Sequence, residues 1–110
     1  MITKSDAERI AGEFVRDVLK KNWPQCYIHY SEDPGATLRR HGICLEADSD
    51  LCRPRWSVSF ETWTDDGLLM DGPTIVIVDA ESGVPQLFDE VWQKFSQSYL
   101  MSPKQKPHAP

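Results

Sequence analysis

Over the first twenty residues, apolar side chains recur at steps of three and four: Ala7, Ile10, Ala11, Phe14, Val15, Val18 and Leu19. That period gathers them into one stripe of an α-helix and leaves Glu8, Arg9, Glu13, Arg16, Asp17 and Lys20 on the other side. Ser5 precedes Glu8 by three residues, the spacing at which two side chains satisfy orphan amides at a helix N-terminus, so the helix is expected to begin there. Asn22 and Pro24 are expected to end it, because proline disfavours helical geometry in the residue before it.

The period then changes from helical to extended. Cys26-Tyr27-Ile28-His29-Tyr30 is rich in aromatic and β-branched residues and stops at the turn formers Ser31-Glu32-Asp33-Pro34-Gly35, which predicts a strand over 25–30. Arg39 and Arg40 interrupt any alternation, and Gly42 separates them from Ile43-Cys44-Leu45, where a short strand is expected. From Arg55 to Trp63 the alternation is clean: Trp56, Val58, Phe60 and Thr62 share one face, and Arg55, Ser57, Ser59 and Glu61 the other. Thr64-Asp65-Asp66-Gly67 supplies a turn, after which Leu68 to Met70 can return alongside. Ile75-Val76-Ile77-Val78 is apolar on both faces and predicts a central strand covered on one side by the N-terminal helix.

After the turn Ala80-Glu81-Ser82-Gly83, residues Val84 to Phe88 are expected to form a short edge strand, since Pro85 lacks a ladder donor. Val91, Trp92, Phe95 and Tyr99 restore helical spacing behind Asp89, a candidate N-cap, and place a second helix over about 89–100. Residues 102–110, with three prolines and no periodic apolar residue, are read as a disordered tail behind one domain spanning 1–101. The expected fold is α+β: an N-terminal helix packed on an antiparallel sheet of about four strands, with a short C-terminal helix.

Composition narrows the functional classes. A chain of 110 residues, 40% of them apolar, is enough for one core. The formal charge of −5 argues against a nucleic-acid partner, which would demand Lys and Arg to neutralise phosphates, and favours a basic protein partner instead. No stretch approaches the roughly 18 apolar residues that cross a bilayer, and the N-terminus enters a charged amphipathic segment directly, so no membrane partner is expected and a cytoplasmic location is. Cys26, Cys44 and Cys52 are too few and odd in number for a disulfide framework, and are read as reduced core thiols.

Candidate chemistry is sparse. Cys26-x-x-His29 and His41-x-x-Cys44, with Cys52 beyond, offer ligand types that zinc prefers, but residues three apart in a strand point to opposite faces; core cysteines and surface histidines are the expected reading, with no metal and no cofactor. Glu46, Asp48 and Asp50 alternate along an extended segment. Counted from Glu46, the sixth position is Leu51 and the twelfth Ser57, where a helix-loop-helix calcium site needs Gly and Glu. The three carboxylates are therefore read as a solvated acidic loop, available as a docking surface.

For nucleophilic catalysis the candidate thiol–imidazole pairs are Cys44 or Cys52 with His29 or His41, and nothing in their spacing fixes a catalytic geometry. No nucleophile elbow, phosphate-binding glycine loop, dinucleotide fingerprint or zinc-protease helix occurs. Glu61, Asp65 and Asp66 lie close in sequence but read as turn chemistry. Among the aromatics, Trp56, Phe60, Trp92 and Phe95 fall on faces expected to be buried. Trp63 shares the wet face of its strand: either it stays half exposed and anchors a partner, or a strand-end bulge turns it inward.

Trp56-Ser57-Val58-Ser59-Phe60, followed by Gly72-Pro73-Thr74-Ile75-Val76-Ile77-Val78-Asp79 and then Ser82-Gly83, resembles the small immunity-protein domains of bacterial toxin systems. The likeness covers about half the chain, the helix near Ala7 included. It implies a non-enzymatic protein that binds and neutralises a partner protein, with Trp63, Glu46, Asp48, Asp50, Asp65 and Asp66 as the expected partner-binding residues from the reading above. The continuation through Gln86 to Tyr99 departs from that pattern. The alternative is a small-molecule-binding or enzymatic module of cystatin-like shape, with Tyr27, His29, Tyr30 and Glu61 lining a pocket between helix and sheet. The edge near Pro85 also allows a homodimer.

Overall fold

The structure, a computed structural model, describes residues 1–42 and 52–93. Helix α1 (Lys4–Glu13) continues as a π-helical turn over Phe14–Val18 and leads to strand β1 (Gln25–Ser31). A short helix α2 (Ala36–Arg40) precedes β2 (Arg55–Phe60), β3 (Thr74–Asp79) and β4 (Pro85–Leu87), and helix α3 holds residues 88–93. The sheet is fully antiparallel in the order β1-β2-β3-β4, so each strand pairs with the next in sequence. The expected α+β architecture is the one observed.

Alternation in β2 and β3 decides which face α1 covers. Val58 pairs with Ile28 and with Val76, and Val76 with Leu87, which lines these side chains across the sheet on one face. Ala7, Ala11 and Val15 of the helical segment close over Val58, Phe60, Val76 and Val78, all buried. The two alanines have no exposed surface, and their small side chains let the helix approach the sheet closely. Ile10, Phe14, Trp23, Trp56 and Leu87 flank that cluster.

The helix starts two residues earlier than expected. Thr3 is the N-cap, its hydroxyl accepting from the Asp6 amide while the Asp6 carboxylate accepts from the Thr3 amide, each at 3.1 Å. Asp6 also lies where the helix dipole favours a negative charge. The Ser5–Glu8 pair has the same spacing but lies inside the helix. Replacing Thr3 with alanine is expected to lower stability by about 1 kcal/mol and Ser5→Ala to leave it nearly unchanged, which chemical denaturation of the two variants checks. Equal effects would reject this cap.

The helix also ends differently. The Leu19 amide reaches back five residues to the Phe14 carbonyl at 3.1 Å, and Lys20 takes a left-handed backbone with φ of 59°. The wider π turn delays the phase of the stripe, so Leu19 packs against the core while Val18 stays exposed. The helical segment thus ends before Asn22 and Pro24.

Two further segments depart from expectation. Ala36–Arg40 is a helical turn in which Arg39 pairs with Asp33 and Arg40 donates to the Thr37 hydroxyl, local bonds that an alternating pattern does not reveal. The strand expected at Ile43-Cys44-Leu45 and the tail from residue 102 lie outside the described residues. Trp92, expected in the core, is exposed and stacks on the Phe88 ring at 6.4 Å. Helical backbone begins at residue 88, so Asp89 is inside the helix and not its cap.

Candidate functional site

Strand β2 stops at Phe60, and the chain to β3 leaves the sheet as a narrow ribbon. Trp63 bridges to Leu69, the Met70 amide donates to the Thr62 carbonyl at 2.8 Å, and the Thr64 amide donates to the Leu68 carbonyl at 2.8 Å. Gly67, with φ of 84°, closes the tip, a backbone that favours glycine. The ribbon is tied down at its base, where the Trp23 indole donates to the Trp63 carbonyl at 3.1 Å and Thr62 and Thr74 share a hydroxyl bond of 2.6 Å. Lys21 pairs with Asp65 at 3.1 Å while its ammonium lies 5.8 Å from the centre of the Trp23 ring.

Above that base, large apolar side chains are partly exposed. Trp63 is 38% exposed, Leu68 65%, Leu69 54% and Met70 51%. Cross-strand partners share a face, so Trp63 and Leu69 stand together, and Leu68 and Met70 alternate to the other side. Asp65, Asp66 and Asp71 are exposed around them. The ribbon therefore carries exposed apolar side chains on both sides, with exposed aspartates nearby in the chain.

Of the residues expected to bind a partner, Trp63, Asp65 and Asp66 are brought together on this ribbon. Glu46, Asp48 and Asp50 lie outside the described residues. Regular β2 ends before Trp63, yet its indole stays half exposed, the first of the two expected alternatives, and donates to Glu61 at 3.4 Å. Leu68, Leu69 and Met70 were not expected as contact residues, although three consecutive apolar residues after an Asp-Asp-Gly turn are the signal that marks them.

The other candidates do not converge. Tyr27 and His29 stack at 6.4 Å on the sheet face opposite α1, whereas Tyr30 lies across the sheet against Trp56 at 5.0 Å. Strand alternation separates them, since 27 and 29 face one way and 30 the other. Ahead of them a bulge interrupts the ladder: Gln25 pairs with Phe60 and Tyr27 with Ser59, so Cys26 is an extra residue. The same bulge leaves Cys26 exposed, its thiol donating to the Ser59 carbonyl at 3.4 Å, and Cys52 is half-buried with its sulfur 3.3 Å from Arg39. Neither is a core residue. Among the described residues, no group of three or more His, Cys, Asp or Glu side chains is placed to hold a metal ion. Ala7, Ala11 and Val15 pack directly on Val58, Phe60, Val76 and Val78, and a cavity at the margin between helix and sheet, lined by Gly12, Val15, Trp23 and Phe60 among others, includes none of Tyr27, His29, Tyr30 and Glu61.

At the other end of β2, Arg53 grips Asp79 with two bonds of 2.6 and 3.2 Å. Asp79 also accepts from the Glu81 and Ser82 amides at 2.9 and 2.8 Å, holding the turn into β4. The Arg53 guanidinium keeps the Asp79 carboxyl well below the ordinary aspartate range, helped by these amides and opposed by partial burial. A scan against protein-family models and searches of curated proteins and of solved structures find no match to this chain. No helix among the described residues is long and apolar enough to cross a membrane.

Proposed function

We propose that this chain is a non-enzymatic protein-binding domain of the immunity or inhibitor kind, which docks a basic protein partner through the ribbon between β2 and β3. The observation that carries the reading is the exposure of Trp63 with its cross-strand partner Leu69 on one side of a braced ribbon, and of Leu68 and Met70 on the other. An exposed aromatic set among aliphatic side chains is the composition of interface hot spots. The exposed aspartates nearby in the chain and the net charge of −5 favour Lys- and Arg-bearing surfaces, whose approach they accelerate. The resemblance to small immunity-protein domains points the same way.

The test is native mass spectrometry of the tagged chain recovered from its own source cell, beside Trp63→Ala and Leu69→Ala variants. The wild type is expected in a stoichiometric heterocomplex with a basic protein, whose affinity falls roughly 30-fold in Trp63→Ala, an effect of about 2 kcal/mol. Circular dichroism should be unchanged, because the Trp63 backbone makes the anchoring bond. Raising the salt should slow association. A bare monomer under all conditions, or a complex indifferent to both substitutions, rejects the proposal.

A further inference from the structure

About 20 Å along β2 from the ribbon, taking some 3.3 Å per residue, the sheet face opposite α1 carries a basin of about 280 Å³. Ile77, Val84 and Val91 give it an apolar side, and Arg53, Arg55 and Asp79 a polar one. Ile77 is buried at 6% exposure, so the basin has a closed base and is not a flat patch. Its volume is near the lower end of the range for small-molecule sites, about 300 Å³.

The two arginines are in different states. Arg53 is neutralised by Asp79 and reaches Glu81 at 3.7 Å. Asp79 is in turn committed to Arg53 and to two turn amides. Arg55 is partly buried, its Nε–H is enclosed without any acceptor, and no carboxylate among the described residues pairs with it. The Phe88 ring lies 5.9 Å from its guanidinium carbon and covers a face of the cation. Burial also pushes its pKa down. The Nε–H is closed off from solvent, so a ligand in the basin would meet the guanidinium at its terminal nitrogens.

We propose that this basin binds a carboxylate that carries a short aliphatic group, with the carboxylate on Arg55 and the aliphatic group against Ile77, Val84 and Val91. A guanidinium presents paired donors that match the two oxygens of a carboxylate. A single charge suits the site better than a dianion, because the Asp79 carboxylate stands beside it. The chemistry is shared by free short-chain acids and by the C-terminal residue of a peptide. The inference is independent of the ribbon, which lies at the far end of the sheet.

The experiment is a titration of the ¹⁵N-labelled full chain with 4-methylpentanoate, with N-acetyl-Gly-Leu and with the primary amide of each, following the side-chain Nε–H signal of Arg55. Saturable shifts with an acid and none with its amide are expected. Response to 4-methylpentanoate assigns free acids to the site, and response to the peptide alone assigns a peptide C-terminus. Arg55→Lys should weaken binding roughly tenfold or more, because a point charge replaces the paired donors. Val84→Trp, at an exposed position, should fill the basin and abolish binding with an unchanged circular dichroism spectrum, which keeps the test valid if Arg55→Lys unfolds. No saturation by either acid, equal shifts with the amides, or binding that survives Val84→Trp overturns the proposal.

Discussion

Replacing Phe60 with alanine is expected to lower the free energy of unfolding by about 3–5 kcal/mol, the range for truncating a buried aromatic. Phe60 is 3% exposed and sits in the cluster of Ala7, Ala11, Val15, Val58, Val76 and Val78 that joins the helix to the sheet. It is the last residue of β2, paired with Gln25 on one side and Thr74 on the other, so no neighbouring strand residue can move in to fill its place. A domain of this size has roughly 5–15 kcal/mol of stability in all, and the variant should approach or cross the limit of folding. Urea denaturation measures the loss, and Phe60→Leu should restore most of it by returning volume to the same site. A loss below about 1 kcal/mol in Phe60→Ala would mean that the helix does not close over this end of the strand.

The second large effect is expected at Asp79, where alanine should cost about 2–3 kcal/mol by removing charge-assisted bonds to Arg53 and the acceptor for two turn amides. Asparagine keeps one oxygen for the two amides but replaces the oxygen that accepts from the Arg53 Nε–H with an amide NH2, so both the charge and that bond are lost. The folded chain holds the Asp79 carboxyl well below its ordinary value, chiefly through Arg53, so the unfolded chain takes up its proton at higher pH. The stabilisation is therefore complete above about pH 5 and is lost as pH falls through the unfolded value near 4 and on towards the folded one. The difference in unfolding free energy between wild type and Asp79→Asn should shrink steadily below about pH 5. Curves that stay parallel from pH 7 to pH 3 would show that the Arg53 contact is not made in solution.

Much of the architecture was legible because burial imposes a period on sequence. The three-four spacing of Ala7, Ala11 and Val15 marks the face that α1 buries, and the alternation of Trp56, Val58 and Phe60 marks the face that receives it. Ile75 to Val78, apolar on both sides, is an inner strand, and Pro85 does lie at the sheet edge. The cap was misplaced because Thr3–Asp6 and Ser5–Glu8 have equivalent spacing, and only the first residue of the helical backbone distinguishes them. The bulge at Cys26 was invisible for a related reason: every side chain from 26 to 30 suits a strand, and the extra residue emerges only when β1 is laid against β2.

The candidate sites divide in the same way. Trp63 and the Asp65-Asp66 turn could be singled out from residue type alone, and the run Leu68-Leu69-Met70 carried a signal of its own. Which of them share a face depended on where β2 stops, and that is fixed by Trp23 and Thr74 reaching in from distant parts of the chain. Arg53 and Arg55 gave less warning. They are two residues apart, yet one is neutralised by Asp79 across the sheet and the other is enclosed beside Phe88 without a partner.

By itself the sequence determined the helix-then-strands order, the apolar faces and the turn positions, since these follow from local backbone preference and from the repeat distances of helix and strand. The tertiary structure alone decided the cap, the π turn, the register of β1, the brace under Trp63 and the unequal states of Arg53 and Arg55. Each of those rests on a hydrogen bond or contact between chosen partners. A partner is selected by three-dimensional proximity and competition among equivalent residues, which periodicity along the chain does not encode.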